Sequence, residues 1–282
     1  MVALFKDLSK TAENILRDDY DFSRKLKIKS TASNGVSFTT EGALNANKTI
    51  MAKFTGGFTH SASGVVFKKL QVNTQGRIAT EADLPNVLTE GLKLTFKLED
   101  GSVAKNTSAK QVGVLGAEYK HHNVAIDSEV DFVSNTVSAA AVLSQKGFAA
   151  GGQAAFNLDK SSVVQHNVGV SYTGADYETT LVTKKNFAAL QASFHHHLSH
   201  HTVYAATLDY DLKSASNSLV VGGRYKVDTN TTYCGKINSE GFLSLASILR
   251  VRPHVTLTTC VHVDAKNFEG DSHKFGLGLT LG

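Results

Sequence analysis

Residues 272–282 read S-H-K-F-G-L-G-L-T-L-G. Phe275, Leu277, Leu279 and Leu281 take every second position, and Lys274, Gly276, Gly278 and Thr280 fall between them. A period of two is that of a β-strand with one apolar face and one polar or bare face. A chain that ends on such a strand must pair it or leave an open edge. The expectation is that the rest of the chain repeats the pattern and closes on it.

The repeats are present. Leu92, Leu94, Phe96 and Leu98 alternate with Lys93, Thr95, Lys97 and Glu99. Lys25, Lys27 and Lys29 alternate with Leu26, Ile28 and Ser30, and Asn34-Gly35 follows as a hairpin turn signal. Leu245, Leu249 and Val251 oppose Ser244, Ala246, Arg250 and Arg252. Residues 66–72 are less regular, with Lys68 out of step on the apolar side. Strands of about ten residues joined by short turns suit a membrane barrel better than a sandwich. One apolar and one wet face over so many strands imply lipid outside and water inside. Dividing the chain by a repeat of about 13–14 residues gives roughly 18–20 strands.

Composition agrees. There are 2 prolines, and proline removes a ladder donor, so a chain of paired strands should exclude it. No run approaches the roughly 18 apolar residues of a membrane helix, which leaves strands as the only way to span. Cys234 and Cys260 are too few for a disulfide framework and read as buried or half-buried thiols. The formal charge of +4 is too small to argue for nucleic acid. No cofactor is implied, and the nucleophile, zinc and phosphate-loop motifs of common enzymes are missing.

The first residues have a different period. Leu4, Phe5, Leu8, Ala12, Ile15 and Leu16 recur at helical spacing over residues 4–16, with Lys6, Asp7, Lys10, Glu13 and Arg17 on the other side. At 1.5 Å per residue the helix is about 20 Å long, too short to span a bilayer. It packs on a core, inside a barrel or on a membrane surface. The organisation expected is a helix and connector over residues 1–24 and a barrel over 25–282. Lys6, Asp7 and Lys10 interrupt any signal-like apolar run, so a targeting address is expected inside the chain.

Several segments are similar to the mitochondrial voltage-dependent anion channels, the eukaryotic porin family. The N-terminal helix, Gly91-Leu92-Lys93-Leu94 and residues 116–132 carry the likeness, as does a signature over Tyr225, Asp228, Thr231, Gly235-Lys236-Ile237-Asn238-Ser239 and Ser244-Leu245. Lys274, Gly276, Leu279 and Leu281 fit the family's barrel-assembly signal, polar-x-Gly-x-x-hydrophobic-x-hydrophobic. The resemblance implies an all-β membrane barrel of 19 strands, mostly antiparallel, whose first and last strands pair in parallel, with the helix in the lumen. The strand number belongs to the resemblance, since the division above does not separate 18 from 20. It also implies Val142 as a wall contact of the helix, and a mitochondrial outer-membrane location. Two departures stand out. Leu70 occupies a position where some members carry a membrane-facing glutamate. Asp19, Tyr20, Asp21, Phe22 and Ser23 replace the family's glycine-rich connector.

The function expected is a voltage-gated, weakly anion-selective pore for small ions and metabolites such as ATP, ADP and phosphate. Alternation places Lys25, Lys27, Lys29, Lys93, Lys97, Arg224, Lys226, Lys236, Arg250, Arg252 and Lys274 on the wet wall, where fixed positive charge concentrates anions. Asp127, Glu129 and Asp131 lie on the same side. Leu4, Leu8, Lys10, Ala12, Ile15, Leu16 and Arg17 form the expected gating helix. Membrane lipid and anionic nucleotides are the expected partners, and a homo-oligomer is left open. The histidines at 195–201 suit a pH-sensitive rim better than a metal site, because no acid or cysteine completes a set. Two rivals stand beside this reading: a mitochondrial protein-import barrel and a soluble β-rich binding protein.

Overall fold

The computed structural model describes residues 2–44, 49–61, 63–86, 89–100, 111–270 and 272–282. The N-terminal segment holds a single 3₁₀ turn, Phe5–Asp7, and helix α1, Lys10–Arg17. The barrel begins with β1 Arg24–Thr31, β2 Ser37–Leu44, β3 Ile50–His60, β4 Val65–Asn73, β5 Ile78–Pro85 and β6 Leu92–Asp100. It continues with β7 Val112–Lys120, β8 Val124–Asp131, β9 Thr136–Gln145, β10 Phe148–Asn157, β11 Ser162–Thr173 and β12 Tyr177–Lys184. It ends with β13 Ala189–His197, β14 Thr202–Asp211, β15 Ser216–Lys226, β16 Thr231–Asn238, β17 Phe242–Arg252, β18 Val255–Asp264 and β19 Lys274–Leu281.

These strands form one 19-stranded sheet that closes on itself. Sequence neighbours pair antiparallel, and the closing pair, β1 with β19, is parallel with Leu26 opposite Leu279 and Ile28 opposite Leu281. An odd strand number forces this: antiparallel pairing throughout would leave the last strand running the same way as the first. Among the described residues there is no second sheet packed against the first, as a soluble sandwich would need.

The two faces separate cleanly. Leu245, Leu277, Val221, Leu143 and Phe148 are among many large apolar side chains left bare on the outside, Leu143 and Phe148 by 64% and 65%. In water such a surface would be a severe liability; in a bilayer it is the solvated face. Near one end Phe148, Tyr172, Tyr177 and Phe194 make a chain of ring contacts at 4.5, 5.8 and 6.4 Å between centroids. Tyr204, Tyr225 and Tyr233 continue outward-exposed aromatics at that end. Amphipathic rings at that level suit a membrane–water interface.

Two bulges settle positions that alternation leaves out of step. The register shifts between Phe67 and Lys69 on β4, so Lys68 is an extra residue there and pairs with Asp83 on the lumen side. Leu70 stays in the lipid-facing register, opposite Gly56 and Thr80. On β17 the register shifts between Arg250 and Arg252. Arg252 therefore pairs with Val255 at the rim, out of the inward register that carries Arg250. It is removed from the expected lumen set for that reason.

Leu279 faces outward opposite Leu257 and Leu26. Leu279→Asp is expected to put a bare carboxylate on the lipid side of the closing pair, at a cost approaching the ~2–4 kcal/mol of an outward Lys or Arg at midplane. Membrane extraction and heat-modifiable mobility should both report loss of the assembled barrel; full assembly would refute the placement.

Candidate functional site: the N-terminal segment and the lumen wall

The segment expected as one helix over residues 4–16 is broken. The 3₁₀ turn ends at Asp7 and α1 starts after Ser9, whose carbonyl accepts the Glu13 N–H at 3.1 Å. The Ser9 hydroxyl donates to the Glu13 carboxylate, also at 3.1 Å. The break lets two short apolar faces follow a curved wall that one straight rod would leave.

Three stations hold the segment. Val2, Leu4, Phe5 and Leu8 bury themselves with Ala125, Ala140, Val142 and Val182, on β8, β9 and β12. Leu8 and Val142 are at 2% and 0% exposure. Ala12, Ile15 and Leu16 pack with Ala205, against Val203 and Val220, on β14 and β15. Tyr20 packs with Cys234, Ala246 and Cys260, flanked by Phe22 and Ile248. Each large apolar side chain seated this way contributes about 1.5–3 kcal/mol relative to exposure. The cysteines are free, buried thiols beneath the connector.

Glycine makes the seats. A Cβ on Gly222 would meet a Leu16 methyl at 2.8 Å and the Gly235 carbonyl oxygen at 2.6 Å. One on Gly276 would meet the Asp21 carbonyl oxygen at 2.0 Å. Gly276 thus has a structural role beyond the sequence motif: it lets the connector cross the last strand.

Polar ties complete the docking. Lys236 donates to the Leu16 carbonyl at 2.7 Å, satisfying an end of α1, and lies 4.3 Å from the centre of the Tyr20 ring. Arg224 donates to Asp19 at 2.7 Å, and the Cys260 thiol donates to the Asp19 carbonyl at 2.9 Å. Asp19 has φ of 69°, a left-handed conformation that aspartate tolerates better than most residues. It supplies the bend where the connector lacks glycine. Lys184 lies 3.4 Å from Glu13, Arg17 lies 3.3 Å from Glu13, and Lys10 bonds Asp7 at 2.9 Å.

The wall is more evenly charged than its lysines suggest. Lys25 pairs with Asp21 and with Glu41, Lys27 lies 3.9 Å from Glu41, and Lys53 lies 3.0 Å from it. Lys93 is 2.5 Å from Glu118 and 3.7 Å from Asp83. Lys6 reaches Glu118, Asp127 and Glu129. Lys29, Lys97, Lys226, Arg250 and Lys274 have no carboxylate at salt-bridge distance among the described residues. Apart from Lys97, these unpaired cations sit on β15, β17, β19 and β1. The acids cluster on β5, β7 and β8, across the barrel. Sequence reasoning passed over Glu41, Asp83, Glu118 and Lys53, and set Lys68 on the apolar side. Alternation on β2, β5 and β7 was the available signal for the three acids.

His195 and His197 lie on one face of β13, with ring centroids 4.5 Å apart, and His196 is on the other. A cavity of about 600 Å³ between the segment and the wall is lined by both, with Asp7, Lys10, Arg224 and Lys226. His60, His121, His122, His200, His201 and His254 lie at this same end of the barrel.

Comparison with known proteins follows this geometry. The sequence profile described as eukaryotic porin matches residues 2–276. The chain belongs to the eukaryotic porins. Among its relatives is the non-selective voltage-gated ion channel VDAC2 of Xenopus laevis, 30% identical over 287 residues and covering 98% of each chain. The VDAC2 of Meleagris gallopavo is 29% identical, over 98% of this chain and 93% of its own. Human VDAC1, also named a non-selective voltage-gated ion channel, is 28% identical over 98% of this chain and 97% of its own. A Rhodopseudomonas blastica porin variant aligns over 90% of this chain and 94% of its own, with a TM-score of 0.47 and 9% identity.

Two outcomes follow for this porin's N-terminal segment. Leu16→Asp is expected to unseat α1 from β14 and β15 without adding an atom to the strands, so that protease reaches residues 2–23 in the folded barrel; unchanged protection would contradict the seat. The second concerns pH. Burial works against the Asp21 carboxylate, but bonds from Lys25 and Ser23 outweigh it and hold its pKa at about 2. Burial also opposes the Glu13 charge, and Lys184, Arg17 and the Ser9 hydroxyl bring its pKa below the ordinary value. Both contributions are complete above the ordinary carboxylate pKa of about 4 and are lost as pH falls through the depressed values. Burial disfavours the Lys6 charge too, yet the Glu118 bond and the Asp127 field raise its pKa, a contribution kept below the ordinary lysine value. Protection of residues 2–23 should stay flat from about pH 5 to 9 and fall below about pH 4.

Proposed function

We propose that this porin is a voltage-gated, weakly anion-preferring pore of the mitochondrial outer membrane that passes small ions and anionic metabolites such as ATP, ADP and phosphate. The observation that carries the reading is a closed barrel with an apolar outer belt and a charged lumen, in a chain whose relatives are named voltage-gated ion channels. Membrane lipid is the outer partner on the same ground. Those relatives are named non-selective, so the anion preference rests on the wall itself. Lys29, Lys226, Arg250 and Lys274 offer unpaired positive charge to the water, supported by Lys97. Lys25, Lys27, Lys93, Arg224 and Lys236 are each tied to a carboxylate or to the segment and act through the net field. A water-filled lumen screens charge over about 8 Å, so the preference is modest.

In this reading the segment from Leu4 to Arg17 narrows the lumen and forms the voltage-responsive element, and Val142 is part of its seat. Lys274, Gly276, Leu279 and Leu281 serve as the barrel-assembly signal. The protein-import alternative is disfavoured by the N-terminal segment, which packs along the wall where a translocating peptide would pass.

Planar-bilayer reconstitution tests the proposal. The chain is expected to form large-conductance channels that close at elevated voltage of either sign and favour chloride over potassium slightly. Removal of residues 1–20 is expected to abolish the voltage response while leaving conductance. A chain that inserts without conducting would overturn the pore; a truncated chain that still closes would overturn the role of the segment.

A further inference from the structure

The three carboxylates of Glu118, Asp127 and Glu129 converge on the ammonium group of Lys6. Its Nζ lies 2.7 Å from Glu118 Oε1, 3.3 Å from Asp127 Oδ2 and 3.3 Å from Glu129 Oε1. Glu118 is opposite Asp127 across the β7–β8 pair, and Glu129 is two residues along the same inward face. Lys93 reaches Glu118 from the far side and is shared with Asp83, which also takes Lys68. Three acids side by side on one wall therefore depend on a cation that comes from outside the barrel strands.

Lys6 is held in place by its neighbours in the sequence. Phe5 and Leu8 are buried in the station that includes Ala125 and Val142, on β8 and β9. With those two side chains seated, the ammonium group projects along β8 toward β7. Its side chain keeps 41% of its exposure, so its charge and those of the acids are felt in the lumen.

We infer that Lys6 is a specificity-determining residue of this pore: by offsetting part of the carboxylate charge on β7 and β8, it shifts the lumen's preference toward anions while the segment is docked. The inference rests on the pore reading above and adds a residue that shifts its selectivity. Without that ammonium the ion-pair partners left to the acid arc among the described residues are Lys93 and Lys68. The unpaired cations of β15, β17, β19 and β1 then face a more negative wall.

The test is reversal potential in a potassium chloride gradient across a planar bilayer, with the full-length chain. Lys6→Met keeps an unbranched apolar stem and loses the charge. Lys6→Arg keeps the charge. Loss of one wall charge, screened over about 8 Å at physiological salt, is expected to lower the anion-to-cation permeability ratio about two-fold. Lys6→Met should show that shift, Lys6→Arg should not, and Lys6→Met combined with Glu118→Gln should return toward the wild-type ratio. An unchanged ratio in Lys6→Met, or an equal shift in Lys6→Arg, would overturn the assignment; the second result would mean that Lys6 acts only through packing. Wild-type conductance is read in the same experiment. Its presence with unmoved variants sinks this inference alone, and its absence sinks the pore reading as well.

Discussion

Backbone amides and carbonyls exposed to hydrocarbon have no water to pair with, so a sheet that spans a bilayer must leave no edge. The whole chain answers to that constraint at the pairing of β1 with β19. This pair has a register of five residues, where most antiparallel neighbours have eight to ten. The connector extends it: the Leu277 N–H donates to the Ser23 carbonyl at 3.1 Å, just before β1 begins. Phe22 and Asp21 cross over Gly276 on the lumen side. The residues that close the barrel are therefore continuous with those that dock the helix. A helix hung free in the lumen would not have this geometry.

Closure turns a sheet inside out relative to a soluble domain. The apolar face points away from the centre, and the interior is water bounded by charge. Exposed ion pairs of this kind contribute little to stability, about 0–1 kcal/mol each. Their consequence is a pattern of field. Glu41 with its three lysines is close to neutral or basic, the β5–β8 wall is acid-rich, and β15–β19 is basic. The N-terminal segment runs from the acid side, through Lys6, to the basic side, where Asp19 meets Arg224. Lys6 meets acids on one wall, and Glu13 and Asp19 meet Lys184 and Arg224 on the other, which favours one direction of the segment along the lumen.

The architecture was legible because period-two alternation is local, and it survives in nearly every strand from β1 to β19. The strand number was not, since dividing by an average repeat cannot resolve one hairpin. Lys68 and Arg252 misled for one reason: a bulge adds a residue and reverses the face of all that follow it. The break at Leu8 and Ser9 was hidden because both halves keep helical spacing, and only the curvature of the wall separates them. The role of Lys6 was the least accessible. Its partners are more than a hundred residues away, and nothing in a single sequence relates position 6 to positions 118, 127 and 129. Gly276 was noticed for a motif, and its second use depends on a backbone crossing that only coordinates reveal.

The energies set what a membrane potential can do to such a segment. Moving one charge through the full field supplies about 2.3 kcal/mol per 100 mV. One buried leucine supplies about 1.5–3 kcal/mol to the docked state. The station of Leu4, Phe5 and Leu8 thus exceeds what one charge gains from the field, and two further stations follow it along the wall. Voltage is weak against the sum of these seats and comparable to any single one. On the proposed voltage-responsive role of the segment, a response at modest potentials calls for a segment seated in separable pieces. The break after Leu8 and the left-handed turn at Asp19 divide it that way, with a bend on either side of α1. In this chain separability comes from a serine and an aspartate, without a glycine-rich hinge.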